Sequence, residues 1–251
     1  MRVAVIGKGG AGKSVISGTM ARVLARDGRR VLALDSDLLP GLSLSLGAGP
    51  DPAEPPLNDA AEQDENGRWR LKKGIGPVRA VKRYATDAPD GIRLLQAGKV
   101  PQAGLEPIMG SINAFYRVVH RLPDARTFDD WTVVGDLPAG PRQIAFGWAP
   151  YADTYVAVVQ PSAQSALTAR RVARIARSRD GARAVFVANR VTGPADVRHV
   201  EEMIGEPVLA AVPVDEAVAR AELLGFAPID HAPDSAAVLE IERLVTALAD
   251  E

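Results

Sequence analysis

The residues of this chain best placed to do chemistry are Lys8, Lys13, Ser14, Asp37 and Asp136. Lys13 and Ser14 close the run Gly7-Lys8-Gly9-Gly10-Ala11-Gly12-Lys13-Ser14, which fits the phosphate-binding pattern G-x-x-x-x-G-K-[ST]. Glycines let a backbone fold around an anion with its N–H groups inward. A helix starting there adds partial positive charge at the same place. Lys13 is expected to reach the β- and γ-phosphates of a nucleotide, and the Ser14 hydroxyl to hold Mg²⁺. Asp35 and Asp37 are separated by one residue and so lie on one side of an extended strand, facing the γ-phosphate. The apolar run ending in Asp136 reads as a strand whose terminal carboxylate holds Mg²⁺ through water.

These residues need a scaffold that brings distant parts of the chain to one edge. Strand-like apolar runs occur at 3–6, 31–34, 92–95, 132–134, 155–159, 184–188 and 208–212, with helix-like spacing at 14–26, 111–121, 163–177, 197–204 and 235–248. Alternating strands and helices predict an α/β fold: a doubly wound, mostly parallel sheet of about seven to eight strands flanked by helices. Ligands of such sheets bind at the carboxyl ends of the strands, where every motif above falls. Residues 47–91 break the rhythm. They are rich in Gly, Pro, Asp and Glu, with a hairpin-like stretch near Trp69–Leu71, and read as an irregular surface excursion within one domain spanning 1–251.

Composition narrows the function classes. The chain has 251 residues, nearly half of them hydrophobic, and a net charge of −1, which argues against a general nucleic-acid binder. Cysteine is absent, so there are no disulfides and no thiolate metal site. No apolar run is long enough to span a bilayer, and the chain begins directly with a strand, not a signal peptide, so a cytoplasmic location is expected.

Lys8 separates the loop from the ordinary pattern. The sequence K-G-G-x-G-K-[ST] is the deviant Walker A loop, and with it the chain resembles the MinD/ParA/nitrogenase-iron-protein/arsenical-pump group of dimerising P-loop ATPases. The resemblance implies ATP and ADP as ligands, Mg²⁺, and a homodimer in the ATP state in which Lys8 contacts phosphate across the subunit boundary. It implies that Asp37 orients the attacking water, and Asp37 joins Ser14 and Asp136 as a candidate metal-site residue; Asp35 would support Mg²⁺ or the loop. Asp136–Gly140 matches the family's D-x-P-A-G, with Gly140 as the switch glycine whose N–H approaches the γ-phosphate. Two late elements fit adenine: the strand ending in Asn189 and Arg190, whose amide offers both a donor and an acceptor, and Pro213-Val214-Asp215, similar to the family's I-P-x-D segment. Gln160-Pro161-Ser162 stands at the family's turn before a long helix.

Within the group the chain is most similar to the accessory ATPases that mature carbon monoxide dehydrogenase, sharing the 91–100 segment and the excursion. That implies a client protein, a metalloenzyme or its assembly factor. The subgroup's C-x-C metal pair would fall near Pro107 and Met109, neither a thiolate, so metal insertion is not carried over. Two further departures are Val15, where the family has Thr against the α-phosphate, leaving only a backbone N–H, and Gly135, where it has an apolar residue. The alternatives are a partition-type DNA-positioning ATPase using Arg170, Arg171, Arg174, Arg177 and Arg179, and a nucleotide-sensing module with little hydrolysis. On the arginine-bearing helix Leu167, Val172 and Ile175 are expected to be buried. His120, His199 and His231 share no metal-like spacing, and the C-terminal helix is too acidic to target a membrane.

Overall fold

The computed structural model of the chain describes residues 1–39, 41–52, 54–100 and 108–250. Its centre is β1 (Arg2–Gly7), buried along Val3–Gly7 and flanked on both edges by parallel strands. An apolar strand buried on both faces is the pattern expected inside a parallel sheet. The others are β2 (Val31–Asp35), β6 (Arg93–Gln96), β7 (Thr132–Asp136), β8 (Thr154–Val159), β9 (Arg183–Val191) and β10 (Ala210–Pro213). With the short β5 (Thr86–Asp87), antiparallel to β6, they form an eight-stranded sheet in the order β10-β9-β8-β1-β7-β2-β6-β5. This is the predicted doubly wound architecture. The strands predicted at 92–95 and 208–212 begin one and two residues later than expected.

Alternation along the strands divides the apolar residues between two cores. Ala4, Ile6, Leu32 and Leu34 face α4 (Met109–Arg121) and α6 (Ala163–Arg177), packing with Phe115, Val118 and Val172. Val3, Val5, Val31 and Ala33 face α1 (Lys13–Arg26) and α10 (Ala236–Asp250). On α1 the buried Ile16, Met20 and Leu24 stack at i, i+4, i+8, so the helix that begins at the phosphate loop is seated along its length. The β2–β7 register pairs Asp35 with Asp136, and the β1–β7 register pairs Val5 with Asp136. Parallel register thus delivers both carboxylates beside the loop that follows β1.

The excursion is tied to this core more firmly than its composition suggests. It contains β3 (Ala61–Gln63) paired with β4 (Trp69–Leu71), then α3 (Pro77–Tyr84) and β5. Leu57, Ala60, Ala61, Ile75, Ala80 and Val81 are buried in the core shared with α4. Its apolar residues come one or two at a time between turns, and α3 is only eight residues long, so no long periodic window announces them. Short helices absent from the sequence reading are α2 (Leu42–Leu46), α5 (Arg142–Ala145), α8 (Glu216–Leu224) and α9 (Pro228–His231); α7 spans Pro194–Ile204. No described helix is long and apolar enough to cross a membrane.

Candidate functional site

The loop Gly7–Ser14 is braced through its carbonyls. Gly7 O accepts the Gly140 N–H at 3.0 Å, and Lys8 O accepts the Ala11 N–H at 3.2 Å. Gly10 O accepts from Gln160 Nε2 at 3.2 Å, and Ala11 O accepts from Asn189 Nδ2 at 2.7 Å. Three of these bonds tie the loop's carbonyls to residues just after β7 and β8 and within β9. The first-turn N–H groups of α1 have no acceptor within the helix. Gly12, at φ 91°, must be glycine twice over: the conformation is left-handed, and a Cβ would lie 2.2 Å from Asn189 Nδ2. Lys13 is 8 % exposed and its ammonium reaches Lys8 O at 3.5 Å. Lys8 itself is half-buried at the loop's rim.

Three carboxylates gather below the loop. Ser14 Oγ donates to Asp136 Oδ2 at 2.6 Å, while Asp136 Oδ1 is buried with no hydrogen-bond partner. Burial pushes Asp136 up to about 6 despite the Ser14 hydroxyl and Lys13, and the neighbouring Asp37 adds to the rise. Asp35 is fully buried and is pushed well above the usual carboxylate range by that burial, then by the charge of Asp136. Both Asp35 oxygens serve the following loop, accepting from the Asp37 N–H at 3.1 Å and the Leu42 N–H at 3.3 Å. Of its two expected roles, Asp35 performs the loop-holding one. Asp37 is half-buried and accepts the Leu39 N–H at 3.1 Å. Ser36 Oγ donates to Asp136 O at 2.9 Å, locking this loop to β7. Gly41 passes so close to Ser14 that an added Cβ would lie 3.2 Å from its hydroxyl. An unpartnered buried carboxylate oxygen beside a hydroxyl and a second carboxylate is a hard-oxygen set suited to Mg²⁺. A buried charge with no partner is otherwise costly.

Beside the loop lies a cavity of about 320 Å³. Gly12, Val15, Asn189, Arg190, Pro213, Val214 and Asp215 all line it, bringing together residues the sequence singled out far apart. Val218, Ala219 and Glu222 of α8 and Ala237 of α10 join them in the wall. Sequence reasoning missed these four, and the one signal for them was Asp215. Its Oδ1 accepts from the Ala217 N–H at 2.9 Å and its Oδ2 from the Ala237 N–H at 3.1 Å, drawing the starts of α8 and α10 together. Burial pushes Asp215 up, but the N–H groups of Ala237, Val218 and Ala217 outweigh it and hold the carboxyl below its usual range. Asp215 therefore builds the wall with both oxygens. Asn189 likewise spends an amide hydrogen on the loop. Arg190 sits at φ 58°, with its guanidinium 3.9 Å from Glu222.

Gly135 also finds its reason. A Cβ there would lie 1.8 Å from the hydroxyl of buried Tyr151, so the space where the resemblance implied an apolar side chain is taken by one reaching in from a later segment. On α6 Val172 is buried and Ile175 partly so, but Leu167 is 48 % exposed, against expectation, because it falls on the outward face with Arg170, Arg171 and Arg174. Arg177 is engaged by Glu206 at 2.6 Å and by the carbonyl of Ala184. Pro107 lies outside the described residues; Met109 opens α4. Among the described residues no three His, Asp or Glu side chains converge to hold a metal ion, so the hydroxyl and carboxylates beside Ser14 would need phosphate and water oxygens to complete a cation's shell.

The description "CobQ/CobB/MinD/ParA nucleotide binding domain" fits residues 3–229. The chain is 29 % identical over 245 residues to the carbon monoxide dehydrogenase accessory protein CooC of Rhodospirillum rubrum, covering 93 % of this chain and 91 % of that one. Its fold matches a ParA family ATPase from Chlorobium tepidum TLS with a TM-score of 0.72 at 21 % identity, covering 98 % of both chains. It also matches the septum site-determining protein MinD from Pyrococcus horikoshii OT3, complexed with Mg-ADP, with a TM-score of 0.68 at 18 % identity, covering 98 % of this chain and 95 % of that one.

Proposed function

We propose that this chain, which belongs to the CobQ/CobB/MinD/ParA family of nucleotide-binding proteins, is a Mg²⁺-dependent ATPase that works as a dimeric switch on a client protein. The observation that carries the reading is the Ser14–Asp136 pair at 2.6 Å with Asp136 Oδ1 buried and unpartnered. The phosphates nest against the first turn of α1, and Lys13 meets their charge. Ser14 and Asp136, with Asp37 at the rim, would hold the cation, which would neutralise phosphate charge. Asp37, anchored by the Leu39 N–H, positions the attacking water. A phosphoryl group held this way needs placement more than a strong base. The base lies in the cavity against Pro213 and Val214.

Lys8, at the rim, serves a second copy of the chain, stabilising transition-state charge in the manner of an arginine finger. Unstimulated turnover is slow, on the order of 10⁻³ s⁻¹. A client, a metalloenzyme or its assembly factor, is supported by the similarity to the carbon monoxide dehydrogenase accessory protein. The test is nucleotide binding, hydrolysis and light scattering on two variants. Lys13→Ala is expected to lose binding. Asp37→Ala is expected to keep binding, lose hydrolysis and accumulate as an ATP-bound dimer. Wild-type hydrolysis by Lys13→Ala would refute the assignment.

A further inference from the structure

Away from the nucleotide site, the excursion between β2 and β6 concentrates positive charge. Lys72, Lys73, Arg79, Lys82 and Arg83 fall within twelve residues of a chain whose net charge is −1. Among the described residues none of the five is in an ion pair. α3 arranges three of them: Ala80 and Val81 enter the core, leaving Arg79, Lys82 and Arg83 exposed.

Two adjoining depressions result. Lys72, Lys73, Arg79 and Arg83, with Asp59, ring a cavity of about 460 Å³ completed by Ile75 and Tyr84. The Tyr84 hydroxyl is buried with no hydrogen-bond partner, and the Arg83 guanidinium lies 5.3 Å from its ring centre. A second depression of about 400 Å³ is lined by Gly74, Gly76, Pro77, Val78 and Lys82, and shares Arg79 with the first. Gly74, at φ 80°, lets this happen, since a Cβ there would lie 2.8 Å from Arg79 Nη1. Val78 is 42 % exposed in the second depression.

We propose that this double depression docks an acidic segment of a partner polypeptide, with carboxylates among the four cations and an adjacent apolar side chain against Pro77 and Val78. Four cations against the single carboxylate of Asp59 repel one another and gain from a partner of opposite charge. Every cation here is an exposed side chain, so a small free anion would meet a solvated rim and leave the apolar notch unused. A nucleic-acid strand would want a cationic strip along its backbone; here the cations ring one hollow that also contains a carboxylate. The inference names the chemistry by which the client is held and so rests on the client reading above, but not on nucleotide binding.

The experiment is fluorescence anisotropy on the full chain with a short fluorescein-labelled peptide of glutamates around a leucine pair. The controls are the same peptide with serine for leucine, inorganic tripolyphosphate and single-stranded DNA. The leucine-containing peptide is expected to bind with an affinity that falls as salt is raised. Arg79→Glu and Lys73→Glu are each expected to weaken it by about five- to tenfold. Val78→Ser should weaken the leucine peptide and leave the serine peptide unchanged, an effect that mere structural damage would not produce. Affinity for an ATP analogue, measured on the same variants, should match wild type. Equal peptide binding by wild type and both charge-reversal variants would overturn the proposal. So would tighter binding of tripolyphosphate or DNA than of the peptide, which would give the site to a small anion or to nucleic acid. Peptide binding retained in Lys13→Ala alongside wild-type hydrolysis would sink the ATPase reading and leave this one standing.

Discussion

Replacing Asp136 by asparagine in the nucleotide-free protein should make it more stable at neutral pH. Burial raises this carboxyl from 3.8 to about 6. The ionised form is therefore disfavoured in the folded state by roughly 2 pH units, or about 3 kcal/mol. Asparagine removes that penalty and still accepts the Ser14 hydroxyl. It also puts an amide donor where the unpartnered Oδ1 stands, at a cost of about 1 kcal/mol. The net gain of about 2 kcal/mol corresponds to roughly 4–8 °C in melting temperature for a chain of this size. The sign carries a pH signature. A raised pKa contributes stability that is fully present below the unfolded value of 3.8 and is lost as pH rises through about 6. The advantage of the variant should thus be full at pH 7.5 and vanish near pH 4. With Mg²⁺ and ATP the order should reverse, because the wild type gains binding energy that the variant lacks. The assay is thermal denaturation in EDTA across pH, repeated with the nucleotide. A variant destabilised equally at both pH values would refute the reasoning: Asp136 would then be a satisfied structural residue and not a carboxylate held ready for a cation.

Gly135→Ala should destabilise by about 1–3 kcal/mol through overpacking, since the new Cβ meets the Tyr151 hydroxyl at 1.8 Å. Adding Tyr151→Phe should recover part of that loss in chemical denaturation, and an additive pair would contradict the contact. Val15→Thr, at the wall of the cavity and in the first turn of α1, restores a hydroxyl beside the phosphates. Calorimetry should show nucleotide binding tighter by about 0.5–1.5 kcal/mol. An unchanged affinity would mean that the side chain at this position faces away from the ligand.

The parts of the site legible in the sequence are those whose chemistry is local. The loop glycines, Lys13 and Ser14 declare themselves because spacing alone dictates an anion cradle. Asp37 and Asp136 do so because an apolar run must end where its charge begins. The parts not legible are held by side chains that touch across the fold. Asn189 looks like a base-reading amide, yet its Nδ2 braces Ala11 O at 2.7 Å. Gln160 looks like a turn residue, yet it reaches Gly10 O. Asp215 looks like a ligand contact, yet it caps α8 and reaches the start of α10. Gly135 looks like a defect until Tyr151 is seen beside it. The fold divides in the same way. Long periodic helices such as α1, α6 and α10 were visible, while α2, α5 and α9 span a turn or so each and carry no period to detect.

The bond from the Gly140 N–H to Gly7 O, at 3.0 Å, bears most directly on switching. Gly140 has φ 86°, a conformation that glycine adopts freely. In the proposed ATP state its N–H turns to the γ-phosphate, exchanging a neutral bond worth about 0.5–1.5 kcal/mol for a charge-assisted one of about 1.5–3. The gain is only about 1 kcal/mol, whereas carrying a two-state switch from one extreme to the other takes about 5.5 kcal/mol. Gly140 alone therefore cannot throw the switch, and in the proposed dimer the remainder is assigned to contacts across the subunit boundary, Lys8 first among them. In protein labelled with ¹⁵N-glycine, the Gly140 amide resonance should move with a non-hydrolysable ATP analogue and stay in place with ADP. In Lys8→Ala the move should be incomplete at saturating analogue. A resonance that responds alike to both nucleotides would mean that the Gly7 bond is permanent and that the loop after β7 senses nothing.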